Sequence, residues 1–285
     1  MLISTKELLS AAQKQSYAIG AFNVYNLEGA MAVREAAQVH QSPAMLQMHP
    51  SALEYGGKAL VSLCLEVARE ATVPMSVQLD HSSSEQAIRE ALDAGMSSIM
   101  ADGSPWSYDK NLEFTLAMTN LAHDAGAAVE AEIGRISGSE DSLTVEEKEA
   151  KMTDPVQAVE FVQATNVDSL AVTIGNVHGK YHSEPRLDFD RLEKIHNSLD
   201  LPLVLHGASG LPESMVRRSI ELGVCKFNVN AQVRAAFLSS MKQRLNQPDS
   251  PDLLEVMNTA IAAMSEVIAE KLELFGSVGK ASLHG

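Results

Sequence analysis

Three histidines in this chain each follow a short apolar run. His81 comes after Met75–Asp80, His178 after Ser169–Ile174 and a Gly175-Asn-Val turn, and His206 ends Leu201-Pro-Leu-Val-Leu. Three imidazoles with a fourth position left open form a catalytic zinc arrangement. No short His-x-x-His spacing is present, so the alternative for each histidine alone is a hydrogen-bonded core or rim residue. What sets these three apart is a shared depth at the ends of apolar runs. His40, His123, His182 and His196 fall in helices or loops and read as solvated. Asp80 directly precedes His81, and a carboxylate there either supports the imidazole or moves a proton.

The elements that must position these groups are legible from hydrophobic pattern. Short β-rich runs occupy Ala18–Val24, Ala44–Met48, Met75–Asp80, Ser98–Ala101, Ala128–Ile133, Ser169–Ile174, Leu201–His206 and Val224–Val229. Several are almost continuously apolar, as strands buried on both faces are. Amphipathic helical patterns separate them. Ser82-Ser-Ser-Glu85 reads as a capping box closed at Gly95, Asp154-Pro155 as an N-cap with an N1 proline, and Leu211-Pro212 as the start of a helix ended by Gly223. Strict alternation implies parallel strands, and eight units imply an α/β fold, a (β/α)8 (TIM) barrel spanning 1–285 as one domain. An open doubly wound sheet is the architectural alternative. Gly134–Thr153 is long and polar, which marks a lid or an excursion. Asp252–Phe275 reads as one extra C-terminal helix that caps the barrel or meets another subunit.

A (β/α)8 active site lies at the C-terminal strand ends. There the runs deliver Asn23, His49, Asp80-His81, Asp102, Glu130 and Glu132, His178, His206 and Asn228-Val-Asn230. A buried charge without a partner is costly, so these groups must satisfy one another, a metal or a ligand. Asp102 and Glu132 either hold an alternative metal position, orient imidazoles or make structural hydrogen bonds. Gly207-Ala208-Ser209 and Asn228–Ala231 follow the last two strands, where many barrels hold a phosphate.

The length of 285 residues suits one barrel, and a hydrophobic content of 45% is ordinary for a globular protein. A formal charge of −15 argues against nucleic acid and acidic membranes as partners. Two separated cysteines, no signal-peptide core and no membrane-length run point to the cytoplasm.

The segments LDHSSS, VEAEIG, SLAVTIGNVHGKY, LPLVLHGASG and KFNVN, in this order, resemble the class II fructose-bisphosphate and tagatose-bisphosphate aldolases. The likeness runs from Tyr17 to about Gly279. It implies zinc on His81, His178 and His206, with Asp80 as proton donor to the aldehyde oxygen. Asp102 and Glu132 match positions at a second metal site. Glu140 matches an acid/base residue that takes a proton from the ketone. Gly179, Gly207, Ala208, Ser209, Asn228, Val229, Asn230 and Ala231 match the cradle for the phosphate of dihydroxyacetone phosphate, often beside a monovalent cation such as Na+ or K+. Asn23 reaches the same rim and is expected to touch substrate. The implied reaction is reversible cleavage of a ketose 1-phosphate or 1,6-bisphosphate to dihydroxyacetone phosphate and an aldehyde, through a zinc-stabilised enediolate, in a homodimer or homotetramer. A metal-dependent sugar-phosphate epimerase or isomerase, and a non-catalytic aldolase-like subunit, are the competing readings.

The departures from the family fall on substrate positions. Ala231 stands where a Thr is common, His49 where a Ser is common, and Asn258 where an Arg grips the aldehyde phosphate. Losing an Arg–phosphate contact removes roughly 1.5–3 kcal/mol. The acceptor aldehyde is therefore expected to be unphosphorylated or longer than glyceraldehyde 3-phosphate.

Overall fold

Continuously apolar strands bury both faces only if helices cover one and a barrel interior the other, and that is the arrangement found. The computed structural model describes residues 1–140, 143–145, 151–178, 184–207 and 210–282, with the side chains of 137–140, 143–145 and 178 excepted. In chain order the strands are β1 (Ile19–Asn23), β2 (Ala44–Met48), β3 (Met75–Ser82), β4 (Ser98–Ala101), β5 (Ala128–Ile133), β6 (Ser137–Glu140), β7 (Leu143–Val145), β8 (Ser169–Val172), β9 (Val177–His178), β10 (Leu203–Leu205) and β11 (Val224–Val229). Eight of them close into a parallel barrel in the order β1-β11-β10-β8-β5-β4-β3-β2. The fold is a (β/α)8 barrel, and the doubly wound alternative is excluded by the β1–β11 ladder, which pairs Ile19 with Lys226 and Phe22 with Val229.

The helices are α1 (Thr5–Gln15), α2 (Leu27–Val39), α3 (Pro50–Glu70), α4 (Glu85–Asp93), α5 (Tyr108–Asp124), α6 (Pro155–Thr165), α7 (Phe189–Ser198), α8 (Glu213–Glu221), α9 (Ala231–Leu245) and α10 (Leu253–Leu274). Asp154 caps α6 as its sequence suggests, accepting from the amides of Val156 and Gln157. The start of α4 differs from the expected capping box. Ser82 belongs to β3, and Ser84 is the N-cap, accepting from the amide of Ala87. Glu85 then sits too early to reach back and instead bonds Arg89 one turn on. α1 closes the N-terminal mouth, where Leu8, Leu9 and Ala12 pack with Tyr17, Ile19, Ala21, Met45 and Cys225. α10 lies against α2 and α9, and Phe275 at its end stacks on Phe227 at a centroid distance of 4.9 Å.

The 134–153 segment was expected to be a lid or excursion without regular structure. Its described part instead forms β6 and β7, an antiparallel pair, and β6 also pairs in parallel with β9. Extended backbone here gains partners from β9, so polar composition does not prevent strand formation. The approach to β9 depends on Gly175, at φ +104°, where a Cβ would lie 2.4 Å from the carbonyl oxygen of Arg186. Asn176 locks the same turn by accepting from the amide of Ile174 and donating to the carbonyl of His206.

Asp168 ties the bottom of the barrel together. Its carboxylate accepts from Lys6 Nζ at 2.9 Å, His123 Nε2 at 2.8 Å and the amide of Val129 at 2.9 Å. His123 is therefore a structural partner, not a solvated bystander. Burial would raise the Asp168 pKa, but the bonds from Lys6, His123 and Val129 together hold it below the usual range. A depressed carboxyl stabilises the fold above its unfolded pKa of about 4 and loses that contribution as pH falls through the folded value. Asp168→Asn should thus cost about 1–2 kcal/mol at pH 7. In urea unfolding, the gap to the unaltered chain should shrink as the pH is taken below that range. An undiminished gap at low pH would show that the loss is steric.

Candidate active site

Neighbouring residues on a strand point to opposite faces, so Asp80 and His81 should not share a pocket. A break in the ladder resolves this. The β3–β4 register shifts between Leu79 and Ser82, and His81 has φ +38°. A left-handed non-glycine residue costs of order 1–3 kcal/mol and persists only where its surroundings enforce it. The result is that Asp80, His81 and His206 offer ligand atoms all within 4.8 Å of one another.

Three amides orient the Asp80 carboxylate. Asn23 Nδ2 donates to Oδ2 at 3.1 Å, Gln47 Nε2 to Oδ2 at 3.0 Å, and Asn228 Nδ2 to Oδ1 at 3.0 Å. The side-chain oxygens of Gln47 and Asn228 are buried and meet no hydrogen-bond partner among the described residues. An unsatisfied buried acceptor costs about 1–3 kcal/mol, so both suit a ligand hydroxyl or water. On the other side, His81 Nδ1 lies 2.7 Å from Asp102 Oδ2 and 3.9 Å from Glu132 Oε2. His206 Nε2 lies 2.9 Å from Glu130 Oε1, whose second oxygen accepts from Lys226 Nζ at 2.7 Å and Gln78 Nε2 at 3.0 Å.

Carboxylates only accept, so the ring nitrogens facing Asp102 and Glu130 carry protons. That leaves His81 Nε2 and His206 Nδ1 facing each other at 2.7 Å. Two lone pairs at that distance repel unless a cation lies between them. A shared proton would satisfy the pair, and a divalent ion with imidazole preference suits the same donors. The charges agree. Burial disfavours the His81 imidazolium, but Asp80, Asp102 and Glu132 outweigh it and raise its pKa well above the ordinary value. Burial, then the His81 charge, lowers His206 to about 4. The hydrogen bond and charge of His81 overcome burial to hold Asp102 at about 2. Burial and the neighbouring Asp102 push Glu132 well up.

Among the residues singled out in the sequence, the fold gathers Asn23, Asp80, His81, Asp102, Glu132, His206 and Asn228. Gly207 is buried beside His206. Val229, Asn230 and Ala231 carry the chain from β11 into α9, with Asn230 accepting from Tyr25 Oη at 3.0 Å. Glu140 ends β6 and His178 ends β9, on adjacent strands of the small sheet, and their side chains lie outside the described residues. Gly179, Ala208 and Ser209 also lie outside them. Gln47, Gln78 and Lys226 were missed, and Glu130 was noted only as a rim carboxylate. The signal for all four was a polar side chain at an inward position of an otherwise apolar strand.

Comparison with known proteins bears on this geometry. The sequence model for class II fructose-bisphosphate aldolase matches residues 3–280. The chain belongs to this family. Among solved structures it is similar to the YdjI aldolase of Escherichia coli K12, at 34% identity and TM-score 0.89, covering 99% of this chain and 100% of that one. A candidate fructose-1,6-bisphosphate aldolase from Coccidioides immitis is 36% identical with TM-score 0.92, at 97% coverage of each chain. A fructose-bisphosphate aldolase from Campylobacter jejuni, 21% identical with TM-score 0.83 over 98% of this chain and 97% of that one, shares the fold. Membership of the class II aldolases makes this chain a lyase of a generally metal-dependent kind, and the described residues contain groups able to hold the ion.

In this class II aldolase the three departures sit apart. His49 caps α3, its Nδ1 accepting from the Ser51 amide at 3.2 Å. Ala231 begins α9, and Asn258 is exposed on α10. A cleft of about 220 Å3 opens beside Asn23, walled by Val24, Val233, Phe237, Leu238 and Met264 with Arg234 as its cation. No helix among the described residues is long and apolar enough to cross a membrane.

Proposed function

We propose that this chain cleaves, reversibly, a ketose 1-phosphate or 1,6-bisphosphate to dihydroxyacetone phosphate and an aldehyde. The observation that carries this is the convergence of Asp80, His81 and His206 at the barrel mouth of a class II aldolase. His81, His206 and His178 would hold a divalent ion, zinc by its donor set. Asp102 and Glu132 flank His81 and suit an alternative position of the ion. When bound, such an ion polarises the substrate carbonyl as a Lewis acid. Asp80, steered by Asn23, Gln47 and Asn228, moves the proton of the hydroxyl that becomes the aldehyde. Glu140 is assigned the carbon-bound proton. The start of α9, with Gly179 and 207–209, takes the phosphate through backbone amides, with Na+ or K+ as its counter-ion.

Lys226 offers no route to a Schiff base. Its ammonium is buried against Glu130, and a nucleophilic lysine must be neutral. The test is proton exchange: dihydroxyacetone phosphate in D2O, followed at C3 by NMR, with and without a chelator. Metal-dependent exchange in the absence of any aldehyde is expected. No exchange with zinc present would sink the aldolase reading, and an epimerase would act on the intact sugar instead.

The exposed Asn258 and the mainly apolar cleft support an acceptor that is longer, or lacks a second phosphate. A ketose 1-phosphate should then be cleaved at least as fast as fructose or tagatose 1,6-bisphosphate in a substrate profile, and a strong preference for either bisphosphate would reverse this. Leu238 and Leu245 on α9 and Leu253 and Leu254 on α10 are each more than half exposed, which supports a homodimer or homotetramer, measurable by sedimentation.

A further inference from the structure

A barrel interior is ordinarily filled by layers of branched apolar side chains. Beneath the candidate metal centre one layer breaks this rule. Gln78, Glu130 and Lys226 come from β3, β5 and β11, and each stands two residues before a member of the layer above: Asp80, Glu132 and Asn228. All three are buried, with the Lys226 and Glu130 side chains at 0% and 1% exposure. Desolvating an ion pair costs several kcal/mol per ion, and an apolar replacement is often as stable or more so. Such a pair in the core therefore calls for a reason other than stability.

The reason is what Glu130 does with its other oxygen. It faces His206 Nε2 at 2.9 Å, so that nitrogen donates and Nδ1 keeps its lone pair. A second, independent contact agrees: Asn228 Nδ2 lies 3.2 Å from His206 Nδ1, a donor aimed at an acceptor. Lys226 and Gln78 both occupy the remaining Glu130 oxygen and fix the carboxylate in the one orientation that serves His206. Arrangements of this kind set the tautomer of a ligating imidazole and raise its basicity.

We propose that Glu130, anchored by Lys226, is a positioning residue that presents His206 Nδ1 to the metal. The proposal rests on the reading of His206 as a metal ligand. Lys226 is then a structural counter-charge, and neither residue touches substrate.

The test measures zinc affinity by chelator competition on the full chain, with cobalt(II) absorption as a second readout. Glu130→Gln and Lys226→Met should each weaken binding by about 10–100-fold and alter the cobalt spectrum. The double variant, which leaves no uncompensated charge, should be no worse than the poorer single one. Folded single variants that bind zinc within twofold of the unaltered chain would overturn the proposal. Should the single variants fail to fold, 15N NMR of the unaltered zinc-loaded protein decides: a proton on His206 Nε2 and the metal on Nδ1 are expected, and the reverse assignment overturns it. Zinc binding that leaves His206 untouched, or no binding at all, would remove the ligand assignment under the proposed function. Ordinary binding at His206 with insensitive variants would remove only the positioning role.

Discussion

Asp80→Asn should lower kcat/KM for aldol cleavage by about 10²–10⁴-fold, the usual contribution of a positioned acid or base. The substitution keeps the shape of the side chain and removes its titrating oxygen. It also turns one acceptor into a donor in a site where Asn23, Gln47 and Asn228 all donate. One of these amides must then turn away, so some disorder of the site accompanies the chemical loss. The roles proposed for Asp80 and Glu140 differ by half-reaction, and this makes the variant informative. Proton exchange at C3 of dihydroxyacetone phosphate should survive within about tenfold, because it needs only the ion and the base on carbon. Cleavage should collapse, because the proton on the leaving aldehyde's oxygen has nowhere to go. Loss of exchange by the same factor would mean that Asp80 acts in both half-reactions or supports the metal.

Removal of the metal should abolish cleavage and also soften the fold. An ion that binds only the native state stabilises it by RT ln(1 + [L]/Kd), about 4 kcal/mol at a thousandfold excess over Kd. For a chain of this size that corresponds to a drop of roughly 7 °C in the thermal midpoint on chelation. The direction follows from the site. Without the ion, His81 Nε2 and His206 Nδ1 meet at 2.7 Å and rely on a shared proton, with the Asp80, Asp102, Glu130 and Glu132 carboxyls close by. Both activity and midpoint should return with Zn2+. An unchanged midpoint, together with full activity after exhaustive chelation, would contradict a metal centre altogether.

The barrel was legible because its strands obey rules that act within a few residues. Continuous apolar runs such as Ala44–Met48 and Val224–Val229 can be buried only between helices and a filled interior, and Asp154, Gly95 and Gly223 mark helix ends by backbone chemistry alone. Their boundaries came out as read or within two residues. The capping of α4 was misread because three serines stand within three residues of Glu85, and only the length of β3 decides which one caps. The 134–153 segment was misread for a different reason. β6 lies between β7 and β9, and β9 is about forty residues on, a partner that no local pattern encodes.

The histidine and aspartate at the end of β3 show the same division within one dipeptide. Sequence by itself determined that Asp80, His81, His178 and His206 stand at strand ends, and that their types suit a metal and a proton transfer. It also carried the family likeness, because the motifs are contiguous. Tertiary structure alone decided that Asp80 and His81 share a pocket, through the bulge and the positive φ at His81. It alone turned Lys226, a lysine in an apolar strand, into the counter-charge of Glu130 beneath His206. The physical reason is burial. A charged side chain inside a barrel must be met by partners from other strands, and which strands face each other is set by closure of the sheet, not by any stretch of chain.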